Sequence, residues 1–288
     1  MLATVAVSAG LAVVIGAAGG SSRLRGHIAF SAGALEPGRS NVYVYDLAKR
    51  RLRRLTHGRG VEFDPALSPD GRRVAWRSIR GGNEEVRVAR ADGTNVHNLT
   101  RNPALDYAPA WSPDGRRIAF ASTRGNANEI PHIWVMAADG SDAHVVTRAF
   151  TGEYPAWSRD GRRIAFATNQ PLRQDGFDIV VVGTDGSNPH RITHNDLYEM
   201  GPSWSPDGRW IAFYAGNGGR TDIYVMHPDG TGKRRLTHSG GELPAWSADG
   251  GLIAYAAPSG LFVIRPEGTR VARLPISLAS ATFASWAR

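Results

Sequence analysis

Six carboxylates stand just ahead of recurring prolines: Glu62 and Asp64 before Pro65, Asp106 before Pro109, Glu153 before Pro155, Glu199 before Pro202 and Glu242 before Pro244. Beside them lie Phe63, Tyr107, Tyr154, Tyr198 and Leu243. Acids mixed with aromatics have the composition of a surface that takes a protein segment. Carboxylates that converge raise one another's pKa and are relieved by a cationic ligand. Covalent chemistry has less support. No Gly-x-Ser-x-Gly nucleophile elbow occurs, nor a His-Glu-x-x-His. His190 and His194 are four apart on and just after a strand, a spacing that serves one metal only on a helix. His57, His194 and His238 are repeat-equivalent, so they lie well apart around a ring or meet only at its axis, and surface loop histidines are the plainer reading. The sequence thus assigns no catalytic residue, no resident metal and no cofactor.

The elements that must position the acids form a repeat. Pro-Ala-Trp-Ser-Pro-Asp-Gly-Arg-Arg-Ile-Ala-Phe at Pro109 returns with small edits at Pro65, Pro155, Pro202 and Pro244, and its Trp position is filled by Leu67, Trp111, Trp157, Trp204, Trp246 and Trp286. A period of about 40–45 residues built of strands and turns marks β-propeller blades. Four strands are read in each unit: the Pro-Ala-Trp strand (a), the Ile-Ala-Phe strand (b), a third such as Asp222–Met226 (c), and a fourth ending in Leu236-Thr237 (d). Ser-Pro-Asp-Gly joins a to b, because Pro sets the first corner, Asp bonds to the following backbone and Gly accepts the left-handed conformation. Strand b alternates large and small apolar residues, so a bulky face meets the bare face of the next blade and both are buried. The chain starts with b, c and d of one unit, from His27, and ends with an orphan strand a, Thr282–Trp286. The expectation is an all-β, six-bladed propeller over residues 26–288, its four-stranded antiparallel blades closed by mixing strands from both termini.

These units resemble the WD40-like repeats of the TolB propeller family, over roughly residues 27–286. That resemblance implies a six-bladed periplasmic or secreted propeller that binds protein partners. It covers the propeller part only. Similar propellers occur on serine peptidases of the prolyl oligopeptidase type, but this chain has neither their nucleophile motif nor a segment for a hydrolase domain. Polysaccharide-lyase-like propellers hold a metal through histidines, which keeps a metal-dependent lyase or hydrolase acting at the channel mouth as the alternative function.

Composition bounds the remaining classes. There are 288 residues, no cysteine and a formal charge of +8, with Lys49 and Lys233 the only lysines. Absence of cysteine removes disulfides and Cys-based metal sites. The arginines recur beside the Ser-Pro-Asp-Gly turns, which disperses them around the ring and argues against a nucleic-acid face. Residues 1–22 read as a signal peptide or an N-terminal anchor, since Leu2–Gly20 carries no charge and ends in small residues. The chain is then periplasmic or secreted, and bound to a membrane only where this segment stays uncleaved.

In a propeller strand a is innermost, so Glu62, Asp64, Asp106, Tyr107, Glu153, Tyr154, Tyr198, Glu199 and Glu242 gather round one opening of the channel. Two readings of the acids stand. They form an acidic mouth for a basic or amine-bearing segment of an envelope protein, or for a cation; or they bond nearby amides and arginines and shape the loops.

Overall fold

The computed structural model describes residues 24–33, 40–58, 60–125, 128–169, 176–194, 197–217, 219–276 and 281–287. The leader read at 1–22 lies outside them, as do parts of the long b-to-c loops. The fold is an all-β propeller of four-stranded antiparallel blades. Four sheets stand alone, led by the a strands Asp106–Trp111, Glu153–Trp157, Tyr198–Trp204 and Glu242–Trp246. The remaining strands form one eight-stranded sheet rather than the two separate sheets expected. In it Ala281–Ala287, His27–Gly33, Ser40–Asp46 and Arg51–Arg54 meet Val61–Leu67, Arg73–Arg80, Asn83–Arg90 and His97–Asn98 through a single parallel bridge, Ser40 to Val61. Its cause is local: the Ser40 hydroxyl donates to the Glu62 carbonyl at 2.7 Å and accepts the Glu62 amide at 2.9 Å.

Strand b forms where the sequence places it. Ile28, Val74, Ile118, Ile164, Ile211 and Ile253 are fully buried, as are the following alanines to within 1%. The aromatic after each alanine is sealed as well, from Phe30 to Tyr255. Full burial of such a side chain is worth about 1.5–3 kcal/mol. The clusters run between blades: Ala119, Ile133 and Val135 of one blade pack on Trp157, Ile164 and Phe166 of the next. Ala254 and Val263 pack in the same way on Ile28 and Phe30. Among the inner strands, Ala281–Ala287 touches both Glu242–Trp246 and Val61–Leu67.

Each a-to-b turn is locked by its own side chains. The Ser112 hydroxyl donates to Asp114 Oδ1 at 2.6 Å and accepts the Arg117 amide, while Asp114 Oδ1 also accepts the Arg116 amide. Ser68, Ser158, Ser205 and Ser247 repeat the pattern. The Trp that precedes the turn stitches blades together. Trp111 Nε1 donates to the Ala66 carbonyl of the preceding blade at 3.0 Å, and Arg73 of that blade stacks on its ring at 4.3 Å. Arg117 on Trp157 and Arg163 on Trp204 do the same. Half of the paired arginines therefore pack between blades, while their partners Arg72, Arg116 and Arg162 are exposed at the turns, as are Arg159 and Arg209.

Candidate functional site

The residue before the proline of strand a departs from regular strand geometry in every unit that the repeat aligns. Asp64, Ala108, Tyr154, Gly201 and Leu243 have φ between 50° and 58°. Proline disfavours the right-handed helical region for the residue before it. Here the left-handed conformation is used, and a β-bulge follows at each site, as between Phe63 and Ala66 or Tyr107 and Ala110. Gly201 fits for a second reason: a Cβ there would meet the Tyr214 ring at 2.8 Å.

The bulge divides the sequence-expected site residues into two sets. Glu62, Asp106 and Glu199, three before the proline or its equivalent, are at most 1% exposed. Glu62 accepts Trp76 Nε1 at 2.6 Å and pairs with Arg80 at 3.2 Å. Asp106 is held by both Nε and Nη2 of Arg124 and by Asn102. Glu199 meets Lys233 Nζ at 2.5 Å, with the lysine lying over the Phe213 and Tyr224 rings. These three form ion pairs inside blades, the arrangement of the second of the two readings of the acids.

The second set does come together. Asp64, Tyr107, Glu153 and Tyr154 face one another with three residues that the sequence reading did not single out: Arg77, Glu84 and Tyr214. Arg77 Nη2 pairs with Glu84 at 2.5 Å, and its guanidinium lies 5.8 Å from the Phe63 ring centre and 5.3 Å from that of Tyr107. Burial raises the pKa of Glu153, although Tyr107 donates to it and Arg77 is near. Burial likewise pushes the phenols of Tyr107, Tyr154 and Tyr214 upward, so they stay protonated donors. Tyr198 and Glu242 form the outer rim: Tyr198 is 39% exposed and sits edge-on to Phe177 at 5.0 Å, and Glu242 accepts the Thr221 hydroxyl. A signal for the missed pair was present in the sequence. Arg77 and Tyr214 occupy the place that Ala121, Ala167 and Ala256 hold in other b strands.

Beneath this cluster runs a cavity of about 360 Å³. Its walls are the Pro-Ala-Trp segments of the a strands, from Asp64, Ala108, Tyr154, Gly201 and Leu243 at one end to Pro69, Pro113, Arg159 and Pro206 at the turns. Among the described residues, Asp64 and Arg159 are its only charged wall residues. Both oxygens of Asp64 are buried and without a hydrogen-bond partner among the described residues. Arg77 Nη1 stands 3.7 Å away. Burial drives the Asp64 pKa up to about 6, against the Arg77 charge and the Ala108 amide that face it.

His57, His194 and His238 are exposed, and among the described residues no three His, Asp or Glu side chains stand together as a metal-holding group. No helix among the described residues is long and apolar enough to cross a membrane.

The fold is similar to that of TolB from Acinetobacter baumannii, with a TM-score of 0.78 at 20% identity, covering 91% of this chain and 66% of that one. This chain thus spans about two thirds of that protein's length. A putative TolB from Agrobacterium tumefaciens matches with a TM-score of 0.70 at 20% identity, over 87% and 89% of the two chains. A chain from a nidogen/laminin complex matches with a TM-score of 0.73 at 12% identity, over 91% and 98%. The family model of the TolB beta propeller domain matches residues 22–154 and 149–267. With nearly the whole repeat array inside that match, the chain belongs to the TolB beta propeller domain family.

Proposed function

We propose that this chain is a non-catalytic binding propeller of the cell envelope, periplasmic or secreted, whose channel mouth takes a basic segment of a partner protein. The proposal counts six blades, the eight-stranded sheet acting as two that share one bridge, with the carboxy-terminal strand closing the ring. Support for closure comes from the inner-strand contacts and from the Ala254–Ile28 packing. The observation that carries the function is the gathering of Tyr107, Glu153, Tyr154 and Tyr214 beneath an exposed rim of Tyr198 and Glu242, on a protein of net charge +8. Phenols that remain protonated and carboxylates facing them suit amine and guanidinium donors, and half-buried tyrosines supply contact area at small entropic cost. The similar chain from a nidogen/laminin complex is consistent with a propeller used for protein contact.

The test is capture from envelope extract by immobilised protein, wild type against a Tyr198→Ala, Glu242→Gln variant. A partner identified by mass spectrometry should be retained by the first and at least tenfold depleted on the second. Equal retention on both would remove the mouth from the function. Export is tested by the same expression: mature protein should begin between residues 19 and 23 and occur in the envelope or medium, whereas intact Met1 in the cytosolic fraction contradicts it.

A further inference from the structure

We propose that the central cavity is a second binding site, entered from the Ser-Pro-Asp-Gly turns, for a slender ligand that ends in a primary ammonium group received by Asp64. Of the residues assigned to the mouth it rests on Asp64 alone, and the ligand comes from the opposite end.

Three features of the cavity support it. Its length is lined by proline, alanine and tryptophan, so an aliphatic or small-side-chain body fits against apolar walls. Asp64 is the single acid on those walls among the described residues and lies at the far end from the turns. The residue is 7% exposed, and among the described residues its oxygens have only Arg77 Nη1 at 3.7 Å and the Ala108 amide facing them, neither at good hydrogen-bond geometry, so a well-placed donor would relieve the cost of burying this acid. The Ala108 amide and Arg77 face the carboxylate from the other side, so receiving the ammonium requires rotation about the Cα–Cβ bond away from them toward the adjoining cavity. An ammonium brings three donors in a compact head, which a guanidinium does not.

The surroundings define the charge balance. Arg77 faces Asp64 from its own sheet and is engaged by Glu84 at 2.5 Å, so it supplies partial compensation only. Glu153, Tyr154 and Tyr107 face the cluster from the next blades, and Tyr214 from across the ring. Ionised Asp64 is required, so ligand binding releases a proton at acidic pH. The ligand class has two sources, the free amino end of a peptide and a small alkylamine.

The experiment is isothermal titration of n-pentylamine and of 1-pentanol into the whole protein. Pentylamine should bind at least tenfold more tightly than the alcohol, and Asp64→Asn should abolish that difference while keeping a cooperative melt. Equal binding of amine and alcohol, or amine binding unchanged in the variant, overturns the site. Should the variant fail to fold, the wild type decides. Amine affinity should fall about tenfold from pH 5.5 to 4.5 with no change for the alcohol, and a flat amine profile overturns the proposal. Tetra-alanine with a free or an acetylated amino end separates the sources: tighter binding than pentylamine, lost on acetylation, assigns the peptide terminus, and weaker binding assigns the alkylamine. None of these readings uses the envelope partner, so the mouth and the cavity fail independently.

Discussion

Two populations of carboxylate respond to pH in opposite directions. Asp70, Asp114, Asp160 and Asp249 in the turns are held below the ordinary range, chiefly by the serine hydroxyl two residues earlier. They contribute stability above their unfolded pKa, which is lost as pH falls through the depressed folded values. Asp64 is the reverse case. Its folded pKa, about 6, lies above the unfolded 3.8, so the folded state holds the extra proton between those values and loses stability as pH rises through them. The gap corresponds to about 3 kcal/mol, what remains of the burial cost after the opposing attraction of Arg77. Asp64→Asn, which keeps shape and backbone preference, should therefore gain on the wild type when denaturant midpoints are compared at pH 7.5 rather than 4.5. A difference between the two proteins that does not change with pH would place Asp64 in contact with solvent.

In five of the repeats, strand pairing is fastened by a latch at the end of strand d; the repeat that ends in Leu274-Pro275 lacks it. Thr193 Oγ1 accepts the Ile179 amide at 2.8 Å and donates to Asp178, which also pairs with Arg191. Thr56, Thr100, Thr147 and Thr237 accept the equivalent amides of Val42, Val86, Ile133 and Ile223. Thr193→Val preserves the shape and removes the acceptor, leaving a buried amide and weakening the hold on Asp178. The expected loss is about 1–3 kcal/mol in urea unfolding, and a loss below about 0.5 kcal/mol, within the range of an ordinary surface change, would show that the latch is dispensable. The same comparison shows what the chain reveals on reading. The Leu-Thr ending and the Ile-Ala-Phe alternation are periodic, so the strands, turns and blade interfaces were legible from one unit to the next. The bulge was not, because Asp64, Ala108, Tyr154, Gly201 and Leu243 share a conformation and no side-chain type. That hidden bulge sorted the acids, sending Glu62, Asp106 and Glu199 into ion pairs and Asp64 toward the axis. Arg77 and Tyr214 were visible only as exceptions to a pattern, and exceptions in a degenerate repeat carry meaning only once neighbours are known.

For the whole molecule the question is what the last strand contributes. Ala281–Ala287 pairs with His27–Gly33, setting Trp286 opposite Ile28. The Trp286 indole donates to the Arg25 carbonyl at 3.1 Å, and the Ser285 hydroxyl accepts the Leu67 amide at 2.8 Å, so this short segment is tied to chain more than two hundred residues away in sequence. Removing residues 279–288 bares the edge of His27–Gly33 and opens the wall of the cavity that Ser285, Trp286 and Ala287 complete. An unpaired edge invites association, and loss of the half-buried Trp286 packing costs about 1.5–3 kcal/mol against a total stability of about 5–15. The truncated chain should melt at least 10 °C lower or elute as aggregate in size-exclusion chromatography. Adding residues 279–288 as a separate peptide should restore part of the melting temperature, since the partner edge is preformed. A truncated protein that stays monomeric with an unchanged melt would mean that the five remaining a strands hold the ring without it, and would refute closure by the carboxy-terminal strand.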